Sequence, residues 1–326
     1  MSYDVITFGE PLLRLSPPHE QRLVQAHTLE IHVGGTEVNT AVGLARLGLK
    51  VAHLSALPRN AVSERLIFEL QGWGVDTADT LWRPVGRVGL YWFEKGQPPR
   101  ASQVIYDRQD SATSQMKPDD LPAIFDPEHS RLLHTTGIMA ALSPTARETT
   151  LAAIQRAKSA GWLISFDINY RANLWSYAQA LTACTPIFDQ LDILFIPIRD
   201  AIKLFSLDDT STAESAARYI AKRYPTCDIV MTLGAEGALC LAQTGELLHA
   251  AGQSVMTNVG RIGAGDAFNA GFLYGRLQGY NLTTCLQWGN ACAALKHTIP
   301  GDLPLLSRDQ VEQVLQTGQS EISVQR

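Results

Sequence analysis

The chain has 326 residues, of which 45 % are hydrophobic and 18 % charged, and a net charge of −5. That length can be organised around one α/β sheet with a sizeable core, and with no basic surplus a general nucleic-acid or membrane-surface binder is excluded. Five cysteines at 184, 227, 240, 285 and 292, odd in number and without a CxxC pair, exclude a disulfide framework and a zinc site and suit a reducing cytoplasm. Eight scattered histidines show no HExxH spacing. MSYDVITFGE enters a strand without a signal-peptide pattern, and no apolar run reaches ~18 residues, so a soluble, unexported protein is expected.

Residues 5–8 read as a buried first strand ending in Gly9-Glu10, and residues 12–15 and 30–33 as short strands. Gly34-Gly35 allows close backbone approach, and Thr36 is positioned to cap a helix over 37–47 that stops at Gly48. A strand over 50–57, a helix over 61–71 and an extended piece from Trp73 to Asp76 follow. Two aromatic, β-prone runs, 88–94 and 102–106, are joined by the turn-rich GQPPR and read as a hairpin. They bring Tyr91, Tyr106 and Arg108, and an arginine fork flanked by tyrosines suits a carboxylate.

Next come a strand over 132–136, a helix that Ser143 caps and Pro144 opens, and a strand over 162–167. The last delivers Asp167, Asn169 and Arg171 to its carboxyl end, where ligands gather in open α/β sheets. A strand over 191–196 leads to Pro197–Asp200, and Ser211 with Glu214 forms a capping box for a helix to Tyr224. A strand over 228–233 runs into the turn Gly234-Ala-Glu-Gly237, and helices close the chain over 282–295 and 308–317. Alternating strands and helices argue for a mostly parallel central sheet with helices on both faces.

The stretch 258–275, NVGRIGAGDAFNAGFLYG, is a glycine-rich turn opening a helix. The first N–H groups of such a helix are unpaired and converge, and the dipole favours negative charge there. Gly263, Ala264 and Gly265 thus make a candidate anion hole with Asp266 at its lip, able to cradle a phosphate and take a proton from an attacking hydroxyl. GxxxxGK[ST] and GxGxxG are both absent, so a nucleotide site here is of another kind.

IGAGDAFNAGFLYG resembles the second signature of the ribokinase-like (PfkB) sugar kinases, VGGTEVNTAVGLARLG resembles the first, and Asp167, Asn169 and Arg171 match the DxNxR element. IYDRQDSA, GEPLLRLSP, SFDINYRANLW and LKHTIPGDL are similar to the 2-keto-3-deoxygluconate kinase branch. The resemblance extends over nearly the whole chain. It implies one ribokinase-like α/β domain over 1–326 with a small β-sheet lid inserted at about 10–34 and 86–110, and a cytoplasmic enzyme. The implied reaction is ATP- and Mg²⁺-dependent phosphorylation of a sugar acid, 2-keto-3-deoxygluconate at O6, with a fructokinase or other neutral-sugar kinase, or an inactive sugar-binding homologue, as alternatives.

By the same resemblance Asp266 is the base, and the substrate meets Gly35, Asn39, Tyr91, Tyr106, Arg108, Asn169 and Arg171. The nucleotide meets Thr232, Gly234, Gly237, Asn290, Ala293 and Ala294, and a homodimer through the lids is expected. Two departures stand out. The family's NxxE, which organises hydrated magnesium, reads Pro197 to Asp200 here, leaving Asp200 to act through water. DTxGAGD reads Gly260-Arg261-Ile262-Gly263, without the residues that hold a monovalent cation. Monovalent-cation activation is therefore in doubt, and Arg261 is expected to supply a fixed positive charge at the phosphate.

Overall fold

A computed structural model describes residues 2–255 and 259–317. Nine strands form the central sheet, in the order Leu247–Ala250, Ala238–Leu241, Asp228–Thr232, Ile193–Pro197, Leu163–Asp167, Leu132–Thr136, Val5–Phe8, Val51–Leu54 and Val75–Asp76. Every pairing from Asp228–Thr232 to Val75–Asp76 is parallel; the two edge strands beyond it are antiparallel.

The strands are buried on both faces, and several, such as Val5–Phe8 and Ile193–Pro197, read as largely apolar runs. Side chains alternate between two cores: Leu194 and Ile196 pack with Ala153, Ala180 and Ile220, whereas Ile193 and Phe195 pack with Val38, Phe272 and Trp288. The first core is closed by the helices Pro144–Ser159, Tyr177–Phe188 and Ala213–Arg223, the second by Thr36–Arg46, Ala264–Leu277 and Leu282–His297. All five cysteines are buried and free, Cys184 and Cys227 in the first core and Cys240, Cys285 and Cys292 in the second.

A second sheet of four strands, Glu30–Gly34, Leu12–Ser16, Gly89–Glu94 and Gln103–Asp107, stands apart from the first. Its two outer pairings are antiparallel and the central one parallel, so the hairpin expected across GQPPR forms, with Tyr91 opposite Tyr106. No helix among the described residues is long and apolar enough to cross a membrane.

Several local expectations are corrected. Gly35, not Thr36, is the N-cap of the Thr36–Arg46 helix. Its φ of +121° lies where a side chain is strained, and a Cβ there would run into the Glu10 carbonyl. Thr36 is thereby already helical, and its hydroxyl is free to serve elsewhere. Thr212, not Ser211, caps the Ala213–Arg223 helix by accepting from Ser215 N. The run 50–57 divides into Val51–Leu54 and Ala56–Pro58, the latter pairing with Leu81–Arg83. Helices Gly137–Ala141, Tyr177–Phe188 and Ile198–Leu204 carry no sequence expectation.

Candidate active site

The carboxyl ends of Leu163–Asp167 and Ile193–Pro197, the starts of two helices and the underside of the small sheet enclose a cavity of about 460 Å³. Asp266 lies in the first turn of Ala264–Leu277, 8 % exposed. The chain enters this helix through Gly263 in the left-handed region (φ +83°), so close to Asp302 that a Cβ would strike the Asp302 carbonyl oxygen. Ala264 N donates to Arg261 O at 3.3 Å, which closes the turn and takes that amide out of the candidate anion hole. The N–H groups of Gly265 and Asp266, second and third in the helix, have no intrahelical acceptor. A Cβ on Gly265 would meet nothing within 4 Å, so the space above these amides is open.

Both oxygens of Asp266 are held. Thr36 Oγ1 donates to Oδ1, and Asn39 Nδ2 donates to Oδ2 at 2.7 Å. Burial raises the Asp266 carboxyl above the usual range, while these two hydrogen bonds and the Arg171 charge oppose the shift. A carboxylate has about four lone-pair positions, so two such bonds leave it able to receive a substrate hydroxyl. Thr36 Oγ1 in turn accepts from Asn169 Nδ2 at 2.6 Å. Asn169 sits at φ +38°, a conformation asparagine tolerates, and its N–H donates to Asp167 Oδ1 at 2.9 Å. Asn269, one turn beyond Asp266, donates to Asp167 Oδ2 at 2.8 Å. Burial lifts Asp167 to about 6, against the pull of that Asn269 bond.

The cavity collects the sequence candidates Gly35, Asn39, Tyr91, Tyr106, Arg108, Asn169, Arg171, Asp200, Arg261, Gly263, Gly265 and Asp266. Two of the arginines differ sharply in state. Arg108 is 7 % exposed and its guanidinium is taken by Glu10, with Nε donating to Oε2 at 2.7 Å. Arg171 is exposed, with NH1 donating to the Tyr170 carbonyl at 3.2 Å. Of these two, Arg171 is the guanidinium left for an incoming anion. Tyr91 donates to Asp302, whose other oxygen accepts from Arg14 at 2.5 Å.

The cavity lining does not include Thr232, Gly234, Gly237, Asn290 or Ala293. Thr232 ends its strand opposite Pro197, which does line the cavity. Asn290 Nδ2 donates to the carbonyls of Ala250 and Ala251, both at 3.0 Å, and Gly237 packs against the same segment. Asn258, at the head of the glycine-rich stretch, is outside the described residues. Among those described, no group of three or more His, Cys, Asp or Glu side chains could hold a metal. Asp200 accepts from Tyr177 Oη at 2.9 Å and faces Arg199 Nε at 3.4 Å. It fits a contact to hydrated magnesium through water and not a direct protein cage.

Sequence reasoning missed Glu37, Asp302, Asn269 and Lys296, and the pairing of Glu10 with Arg108. Glu37 lines the cavity and accepts from Thr136 Oγ1 at 2.6 Å. Lys296 and Asp302 fall within LKHTIPGDL, which stood out as a motif before its chemistry was legible.

A buried carboxylate beside a helix start, at the carboxyl edge of a parallel sheet and beneath a small second sheet, is an arrangement suited to phosphoryl transfer in an α/β enzyme. The chain belongs to the pfkB family carbohydrate kinases, whose profile matches residues 3–305. It is 39 % identical over 322 residues to the 2-dehydro-3-deoxygalactonokinase of Haloferax volcanii, covering 99 % of each chain. It is 30 % identical over 308 residues to the 2-dehydro-3-deoxygluconokinase of Bacillus subtilis, covering 93 % of this chain and 92 % of the other. The crystal structure of 2-dehydro-3-deoxygluconokinase from Thermotoga maritima superposes with a TM-score of 0.87 at 29 % identity, over 96 % of this chain and 99 % of that one.

Proposed function

We propose that the protein is a cytoplasmic, ATP-dependent kinase of the primary hydroxyl of a sugar acid, acting at O6 of 2-keto-3-deoxygluconate or of its C4 epimer. The observation that carries this reading is the joint placement of Asp266, the open amides of Gly265 and Asp266, and the available guanidinium of Arg171 around one cavity. In the reaction the sugar oxygen attacks the γ-phosphorus, the bond from that phosphorus to the β–γ bridging oxygen breaks, and ADP leaves. The hydroxyl proton passes to an Asp266 carboxylate oxygen. Thr36 and Asn39 hold that carboxylate in place, the helix-start amides bind the transferring phosphoryl oxygens, and the lid excludes water. Bound magnesium, reached by Asp200 through water, would supply charge neutralisation on the nucleotide.

Arg171 is assigned to the substrate carboxylate, with Tyr91, Tyr106 and the Arg108–Glu10 pair beside the sugar. Nucleotide would extend from the cavity past Pro197 to Thr232, Gly234, Gly237, Asn290 and Ala293; the Pro197–Thr232 register supports this course. A dimer through the lids is proposed from the exposed Ile31 and Ile105 on lid strands, and light scattering tests it. A positioned base contributes on the order of 10²–10⁴ in rate. Asp266→Asn should therefore lose at least ~10² in kcat while sugar affinity changes little. Near-normal turnover in that variant would remove Asp266 from the mechanism. A neutral-sugar kinase is favoured by one observation, the internal neutralisation of Arg108 by Glu10. A coupled assay of keto acids against fructose decides between the two.

A further inference from the structure

Lys296 is completely buried in the last turn of Leu282–His297. Its Nζ donates to the carbonyl oxygens of Ile299 and Gly301, both at 2.9 Å. Among the described residues no carboxylate forms an ion pair with it. A buried ammonium whose only direct partners are two carbonyl oxygens is costly to the fold. The location accounts for that cost. A Cβ on Gly263 would lie 3.2 Å from Lys296 Cε, so the lysine packs directly against the start of the Ala264–Leu277 helix. Two positive features, the helix N-terminus and the ammonium, thus abut with the Asp302 and Asp266 carboxylates as their neighbouring negative charges, and an anion arriving between them is drawn by both.

The ammonium also organises the turn it holds. Ile299 and Gly301 flank the approach to Asp302, whose backbone oxygen closes on Gly263 and whose carboxylate takes Arg14 and Tyr91 from two lid strands. Arg261 is exposed at the cavity edge, and among the described residues its side chain forms no hydrogen bond or ion pair to this turn. Burial lowers the Lys296 pKa to about 8, with the neighbouring Asp302 charge acting the other way, so the side chain stays largely charged at neutral pH.

We infer that Lys296 is a tethered internal cation, a positioning residue that fixes the 299–302 turn against the anion hole and adds permanent positive charge behind the transferring phosphoryl group. The inference rests on the kinase reading above. A carbonyl-lined ammonium of this kind does the work of a bound monovalent ion, so the enzyme should need none.

The test begins with the unaltered protein, ATP and the keto acid. Absence of turnover there would overturn the kinase reading and not the role of Lys296. Given turnover, exchange of sodium for potassium or ammonium should change kcat less than twofold. Lys296→Ala opens a site lined by the same carbonyls and should lose at least ~10-fold in kcat, with sugar KM within about threefold. Potassium, ammonium or methylammonium should restore most of that loss, saturably. Lys296→Met fills the site without charge, should lose as much, and should not be restored. The inference is overturned by severalfold potassium activation of the unaltered enzyme, by near-normal kcat in either variant, or by a folded Lys296→Ala that no cation restores. Should Lys296→Ala not fold, Lys296→Met and the cation response of the unaltered enzyme still decide.

Discussion

Glu37→Gln is expected to make the unliganded protein more stable, by an amount that depends on pH. Glu37 is 1 % exposed in the first turn of Thr36–Arg46, and Thr136 Oγ1 donates to it at 2.6 Å. Burial lifts its carboxyl from the ordinary 4.5 to about 7, with the Thr136 bond and the Arg108 charge opposing and Asp266 adding to the rise. With the folded pKa raised, the folded state keeps a proton that the unfolded chain has released. The stability this lends is fully present below pH 4.5 and is lost as pH rises through about 7. At about 1.4 kcal/mol per pH unit, the ionised side chain costs the fold about 3 kcal/mol by pH 8. Glutamine cannot ionise but presents one acceptor where the carboxyl presents two, which takes back about 1 kcal/mol. The net gain should be near zero at pH 5 and about 2 kcal/mol at pH 8, read from urea midpoints at the two pH values. A difference that does not vary with pH, or a loss at pH 8, would refute the burial argument.

Burial also pushes His53 and His134 from 6.5 down to about 3, so the folded state keeps them neutral where the unfolded chain takes up protons. The stability they lend is present above pH 6.5 and lost as pH falls towards 3. His134→Asn, which retains a partner for Ser165, should make the decline of stability between pH 6 and 4 shallower by about 1.4 kcal/mol per unit. An unchanged slope would show that His134 is not protonated on unfolding. Gly35→Ala must place a Cβ against the Glu10 carbonyl at a positive φ, and should lose at least about 1 kcal/mol in urea unfolding. On the proposed placement of Gly35 beside the sugar, the KM for sugar should rise more than that for ATP; equal effects would argue against that placement.

The glycine-rich stretch and the Asp167–Arg171 segment were legible because each pattern implies its own local geometry: a positive-φ glycine before a helix, polar residues just past a buried strand. The lid hairpin was legible from alternation and a turn between. Contacts set by long-range closure were not. Arg108 and Glu10 are 98 positions apart and nothing in either local sequence marks the pair, so Arg108 reads as a free cation. Thr36 looks like a cap because Ser and Thr usually are, and only the φ of Gly35 shifts the helix start by one residue. The Tyr177–Phe188 helix had a usable signal, the Ser176–Gln179 capping box, but Pro186 inside it contradicts helical propensity; burial of its own Ala180, Cys184 and Ile187 in the first core overrides that. Lys296 reads as an ordinary basic residue near a helix end until its burial is known.

The five buried thiols give the molecule a means of reporting its own breathing. Burial raises every one of them, Cys184 and Cys285 to about 12, so an alkylating reagent at neutral pH finds almost no thiolate while the chain stays closed. Because Cys184 and Cys227 sit beneath one face of the sheet and the other three beneath the opposite face, mass spectrometry of trapped peptides resolves the two sides separately. A pulse of reagent thus times the loosening of each helical layer without any probe being introduced.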